Sequence, residues 1–197
     1  MQKIMFDDKF GLTQAVLNGT KTMTRRIIPC GVCQDILTPL RYKGIDVSHD
    51  DMVMKHLRYK VGEVVAIAQR YKDAFNPIDW VKKELYQGEK GWTNKMFVKA
   101  DMMPHQIRIT DARIERLHDI SDEDCMKEGI RYAPMRNEDN YKSYTFDGWK
   151  RKRNGFDYDC YAVNPHEAFR VLIDKMSGKG TWNRNPWVFV YSFELVK

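Results

Sequence analysis

No apolar run in this chain approaches the roughly 20 residues of a membrane-spanning helix, or the hydrophobic centre of a signal peptide. A soluble, cytoplasmic protein with no membrane partner is therefore expected. Cysteine is scarce: four residues in 197 are too few to staple a chain of this length, and without a secretory leader the thiols are expected to be free. Cys30 and Cys33 do have the spacing of a redox dithiol or half a zinc site, because thiolates two residues apart can converge on one metal or on each other. The other half is missing. Cys125 and Cys160 stand alone, and His49, His56, His105, His118 and His166 show no tight ligand spacing, so neither metal nor cofactor is expected. There is no low-complexity segment and no repeat of solenoid length. Nor is the charge one-signed: 33 basic and 27 acidic side chains interleave to leave a net +6. That excludes a purely basic tail but still favours phosphate-bearing partners, nucleic acid among them.

What is present is a globular balance, 43% hydrophobic and 30% charged, enough for one α+β domain with a real core and sizeable insertions. Phe10, Leu12, Ala15, Val16 and Leu17 recur at helical spacing, and Gly19 is the residue type expected just past a helix end. Behind it, Lys21, Thr22, Thr24, Arg25 and Arg26 gather cations and hydroxyls into one short segment. As a turn or helix this segment would bring Lys21 and Thr24 together; as an extended strand it would point them to opposite sides. A solvated basic loop is the plainer alternative.

Residues 29–58 lack periodicity and read as a surface insertion. Tyr59 to Gly62 form a turn into an apolar strand, Glu63 to Ala68. Asp79 to Gln87 is ambiguous, and Lys95 to Lys99 alternates like a strand. Ile107 and Ile109 share a face that Ala112 and Ile114 leave by one residue, which predicts a bulge near Thr110-Asp111 and suits a bent barrel strand. Ser121 reads as the N-cap of a helix from Asp122 to Glu128 that Gly129 stops. Residues 131–163 again lose periodicity and combine Lys150, Arg151, Lys152 and Arg153 with many aromatic rings. Cations beside rings could serve phosphates and stacked bases, or form a mobile basic loop. Asn164-Pro165 opens a helix with an apolar stripe of Ala168, Phe169, Leu172, Ile173 and Met176, and Trp187 to Leu195 is the clearest strand. Trp187 is expected in the core; Trp182 is open between packing and the wall of a base pocket.

Gly19, Lys21 and Arg26 match a signature of glycine, any residue, lysine, four residues and arginine, and on it the chain resembles the ASCH domain family. Lys60-Val61-Gly62-Glu63, the passage from Ile114 to Gly129, and Asn185 to Val190 are similar to later segments of longer, often phage-associated members. The resemblance spans about two thirds of the chain and leaves out segments near 29–58 and 131–163. It implies a small PUA-like β-barrel with flanking helices. Some compact members are amidohydrolases that remove the acyl group of N4-acetylcytidine with a lysine, a threonine and a glutamate; carried over, these are Lys21, Thr24 and Glu128. Gly19, Arg25 and Arg26 would then contact substrate. Other members are regarded as RNA-binding modules, for which Lys150 to Arg153 would supply contacts, and a protein-directed accessory role is a third possibility.

Amide hydrolysis on the exocyclic nitrogen of a base needs a nucleophile, a proton acceptor, and a donor for the leaving nitrogen. Lys21 can take a proton from Thr24 only if burial, or Arg25 and Arg26, bring its pKa down from the ordinary lysine range. Glu128 would protonate the leaving amine, and Arg26 or turn amides would face the oxyanion.

Overall fold

The computed structural model describes residues 1–32, 55–75, 79–133, 142–153 and 156–196. Its centre is a five-stranded sheet in the order β1-β3-β4-β9-β2: β1 Lys3–Ile4, β2 Met23–Ile27, β3 Val64–Ile67, β4 Gln106–Arg116 and β9 Trp187–Leu195. β1 runs parallel to β3 and the other pairings are antiparallel. Among the described residues two strand pairs lie outside it, β5 Arg131–Tyr132 with β6 Tyr144–Thr145, and β7 Lys150–Arg153 with β8 Phe156–Asp159. In chain order the α-helices among the described residues are α1 Leu12–Leu17, α2 Cys30–Val32, α3 Tyr71–Ala74, α4 Trp80–Tyr86, α5 Asp122–Lys127, α6 Pro165–Ser177 and α7 Thr181–Arg184. This is a mixed α+β architecture. Among the described residues no pairing joins edge strands β1 and β2 into a hydrogen-bonded barrel. A side chain links the two edges instead: Arg26 Nη2 donates to the Met5 carbonyl at 2.7 Å. No helix among the described residues is long and apolar enough to cross a membrane.

Local chemistry explains most of the elements. The register of β4 against β9 shifts between Ile109 and Asp111, the bulge that the change of apolar phase predicts. Ser121 Oγ accepts from the Asp124 amide at the start of α5, and Asn164 Oδ1 accepts from Glu167 N ahead of Pro165 at the start of α6. Ala168, Phe169, Leu172 and Ile173 of the α6 stripe are buried, while Met176 is exposed. In β9 the pattern is more than alternation, since Val188, Phe189, Val190 and Tyr191 are all buried. Both faces of this strand are therefore covered.

Two expectations change. Lys95 to Lys99 is no strand: a 3-10 turn spans Lys95–Phe97, because Asn94 Oδ1 accepts from Met96 N at 3.0 Å and turns the chain. Residues 131–163 are not one loop either, since β5 to β8 fall in them. Phe146 is buried there, stacked on Trp149 at 5.0 Å and edge-on to Phe10 at 5.8 Å. The ambiguous stretch near Asp79 is helical, its start capped by Asp79 Oδ1 accepting from Lys82 N. Most of the 29–58 segment, Cys33 included, lies outside the described residues.

Candidate active site

The segment after α1 takes its shape from three backbone anchors. Thr20 N and Lys21 N both donate to Ala15 O, Thr22 N donates to Lys127 O at the end of α5, and Phe193 N donates to Thr22 O. Lys21 is thus fixed between the exit of α1 and the C-terminus of α5, and the chain becomes extended only at Met23. Both geometries considered from sequence contribute. Lys21 sits in the turn, Thr24 on the strand, and the two line one cavity of about 450 Å³.

Strand register sorts the remaining side chains. Directly paired residues share a face, so Thr24, Tyr191 and Ala112 form one row, and Arg26, Phe189 and Ile114 the next. That face carries the cavity, whose lining includes Thr24 and Arg26 with Phe6, Leu12 and Lys95. The opposite face holds the row Arg25, Val190 and Arg113, with Glu115 one pair further on. Here α5 closes over charge. Arg25 donates through Nε and Nη2 to Glu115 Oε1 at 2.9 and 2.7 Å, through Nη2 to Asp124 Oδ2 at 3.0 Å, and through Nη1 to Glu128 Oε1 at 3.1 Å. Arg113 adds bonds to Glu115 Oε2 at 3.0 Å and Asp124 Oδ2 at 2.6 Å.

Glu128 links the two faces. Its Oε1 takes Arg25, and its Oε2 accepts from Lys21 Nζ at 2.6 Å; Lys21 Nζ also donates to the Glu128 carbonyl at 2.7 Å. The approach depends on Gly129, whose φ of 105° is left-handed and where a Cβ would stand 3.0 Å from Leu12 and 3.7 Å from the Lys21 side chain. Lys21 is only 2% exposed and Thr24 only 4%. Burial drives the Lys21 ammonium well below the ordinary lysine range; the Glu128 carboxylate beside it pulls back upward, while Arg26 and Arg25 reinforce the downward push. Arg25 moves the other way, since three carboxylates around it outweigh its burial.

Of the residues singled out from sequence, Lys21, Thr24, Arg26 and Glu128 come together, but with a division of place. Lys21, Thr24 and Arg26 line the cavity, and Glu128 stands behind Lys21. Arg25 is buried on the other face within its carboxylates, and Gly19 is on the exposed turn, outside the cavity wall. Lys150, Arg151, Lys152 and Arg153 form β7, in register with Asp159, Tyr158, Asp157 and Phe156, and neither Lys150 nor Arg151 lines the cavity. Trp187 and Trp182 both pack against the core, with Phe169 edge-on to Trp182. Sequence reasoning missed Glu115 and Arg113. Their signal was two opposite charges two apart on one face of a long strand, which is ambiguous until α5 is known to cover it. Phe6 and Lys95, also missed, reach the cavity from distant segments and leave no local signature.

No family model and no curated protein matches the chain. Among solved structures it is similar to the crystal structure of a protein from Enterococcus faecalis V583 described under the family model DUF984, with 13% identity and a TM-score of 0.38, covering 100% of this chain and 77% of that one.

Proposed function

We propose that the five-stranded sheet belongs to a PUA-like barrel of ASCH type and that the cavity takes the base of a modified nucleoside, free or within RNA, so that the protein is an amidohydrolase removing the acyl group of an N4-acetylcytidine-like substrate. The observation that carries this reading is Lys21, a buried amine 2.6 Å from the Glu128 carboxylate, opening on the same cavity as the Thr24 hydroxyl. A cavity of about 450 Å³ is in the range of small-ligand sites.

In this mechanism Lys21, in its neutral form, accepts the Thr24 proton as Thr24 Oγ1 bonds to the acyl carbon. The carbonyl oxygen becomes an oxyanion facing the Arg26 side of the cavity. Collapse breaks the carbon–nitrogen bond, and Lys21 returns its proton to the exocyclic nitrogen as cytidine leaves. Water then hydrolyses the threonine ester and releases the carboxylic acid. Glu128, behind Lys21, is a positioning residue: it orients the amine and sets its basicity in place of donating to the leaving group itself.

One observation favours a second reading, a cavity that binds RNA without chemistry. Lys21 Nζ donates to both a carboxylate and a carbonyl of Glu128, contacts that stabilise the ammonium form.

Acetate release from N4-acetylcytidine and from acetylcytidine-containing RNA distinguishes them. Turnover is expected in the wild type and at least about 10,000-fold loss of kcat in Thr24→Ala, which removes the nucleophile. The rate is expected to rise with pH through the depressed pKa of Lys21, below 10.5. Glu128→Gln removes the charge that holds that pKa up, so the rising limb moves to lower pH. Binding with no acid released from any acylated cytidine leaves the non-catalytic reading in its place.

A further inference from the structure

On the far side of the contact between Arg26 and Met5 lies a second cavity of about 300 Å³, and its walls differ in character from the first. Lys3, Arg26, His56 and Arg58 supply four basic side chains, Tyr59 and Tyr191 two phenols, and among the described residues no carboxylate lines it. Its two guanidinium groups have no acidic partner among the described residues. Arg26 spends one donor on the Met5 carbonyl, and Arg58 lies exposed, 5.5 Å over the Tyr59 ring. Lys3 is already committed, its Nζ donating to Met96 O at 2.7 Å and Val98 O at 2.6 Å.

The cavity is also held in shape before any ligand arrives. Arg58 N donates to Tyr191 Oη at 3.2 Å, and Gln2 Nε2 donates to Arg58 O at 3.1 Å. Tyr59 Oη donates to Lys3 O at 3.0 Å, and the two tyrosine rings meet edge-on at 5.4 Å. Burial keeps both phenols above their ordinary range, so neither supplies a competing anion near neutral pH. Burial depresses Arg26; Tyr59 and the Glu128 carboxylate pull it back upward, and the charge of Arg58 pushes the same way as burial. An anion between them would relieve that repulsion.

We infer that this second cavity binds a phosphate group of the same nucleotide whose base enters the Lys21 cavity, which makes the substrate a nucleotide or a strand and not a free nucleoside. Arginine forks match phosphate oxygens in pairs, and the adjoining rings offer a surface for a sugar or a neighbouring base. Arg26 and Met5 line both cavities, so one ligand occupying both would pass the same wall. The inference rests on the nucleobase reading only for its claim that the phosphate belongs to the nucleotide in the Lys21 cavity; the anion site stands on its own residues.

Calorimetry with cytidine, cytidine 5′-monophosphate, N4-acetylcytidine, its 5′-monophosphate, and a trinucleotide carrying N4-acetylcytidine tests it in wild type, Arg58→Gln and Arg170→Gln. Arg170 is an exposed arginine of α6 away from both cavities and controls for lost charge. Phosphorylated forms are expected to bind about tenfold more tightly than their nucleosides. That preference should shrink as salt rises, vanish in Arg58→Gln and persist in Arg170→Gln. A further gain for the trinucleotide assigns the phosphate to a strand; equal binding assigns it to a mononucleotide. Equal affinity with and without phosphate, or a preference that survives Arg58→Gln, overturns the inference even where N4-acetylcytidine is turned over. A preference for the monophosphate with no distinction between acetylated and plain cytidine, and no turnover, leaves the phosphate site standing and removes the acylcytidine reading.

Discussion

Lys21 Nζ lies 2.6 Å from Glu128 Oε2, across 107 residues of sequence, and both side chains are almost wholly buried. Removing one member of such a pair strands the other in a medium that solvates it poorly. Lys21→Met is expected to cost about 3–5 kcal/mol in urea unfolding. Combining it with Glu128→Gln should cost less than the two changes added separately, by at least about 1 kcal/mol. Strict additivity would show that the two side chains do not interact energetically.

Arg25 sits among three carboxylates on the face away from the cavity, and a planar fork is what those geometries use. Lysine keeps the charge but cannot serve Glu115, Asp124 and Glu128 together. Arg25→Lys should therefore lower stability by about 2 kcal/mol or more, and Arg25→Met by more still. A midpoint of unfolding unchanged in Arg25→Lys would mean that charge alone, not the fork, is needed there.

Asp124 gives the cluster an acid limit. Burial tends to raise its carboxyl, but hydrogen bonds from Lys127 and Arg25 and the charges of Arg25 and Arg113 outweigh that and hold it below 3.8. Protons bind Asp124 more weakly in the folded protein than in the unfolded chain, so its stabilising contribution is complete above 3.8 and disappears as pH falls through the depressed value. Equilibrium unfolding followed from pH 6 downward should show this loss, and Asp124→Asn should flatten that part of the profile. An unchanged acid limb in Asp124→Asn would assign the effect to other groups.

Phe146, although far from the cavity in sequence, packs against Phe10 just ahead of α1. Phe146→Ala is expected to cost about 3–5 kcal/mol. Amide exchange should accelerate in α1 and the following turn beyond what the global loss explains. Exchange that rises evenly across the protein would show that Phe146 supports the core without any special tie to α1.

Much of this arrangement was legible in the residues themselves. The bulge after Ile109, the Ser121 and Asn164 caps, and the helix stops at Gly19, Gly129 and Gly178 depend on neighbours a few positions away, and such signals survive tertiary packing. Lys95 to Lys99 misled because alternation alone cannot see the Asn94 side chain turning the chain, or Lys95 being drawn toward Asp8 at 2.8 Å. For the candidate site, Lys21 and Thr24 came from a short local pattern. Glu128 rested on a register of the preceding strand and helix taken from the resemblance; in the structure its carboxylate lies 2.6 Å from Lys21 Nζ. The carboxylates around Arg25 and the second basic cavity could not be read in the same way, since the first exist only where β2, β4 and α5 meet, and the second only where β1, β2, β9 and the segment before β3 do.

The hairpin region that reads as an insertion by periodicity has a different standing once Phe146 is seen packed edge-on to Phe10. A shortened chain lacking residues 142–162 would not be a trimmed version of the same fold. It would expose Phe10, loosen the exit of α1, and leave Ala15 a less steady acceptor for the Lys21 amide. Any effort to reduce this protein to its smallest working form should therefore cut elsewhere.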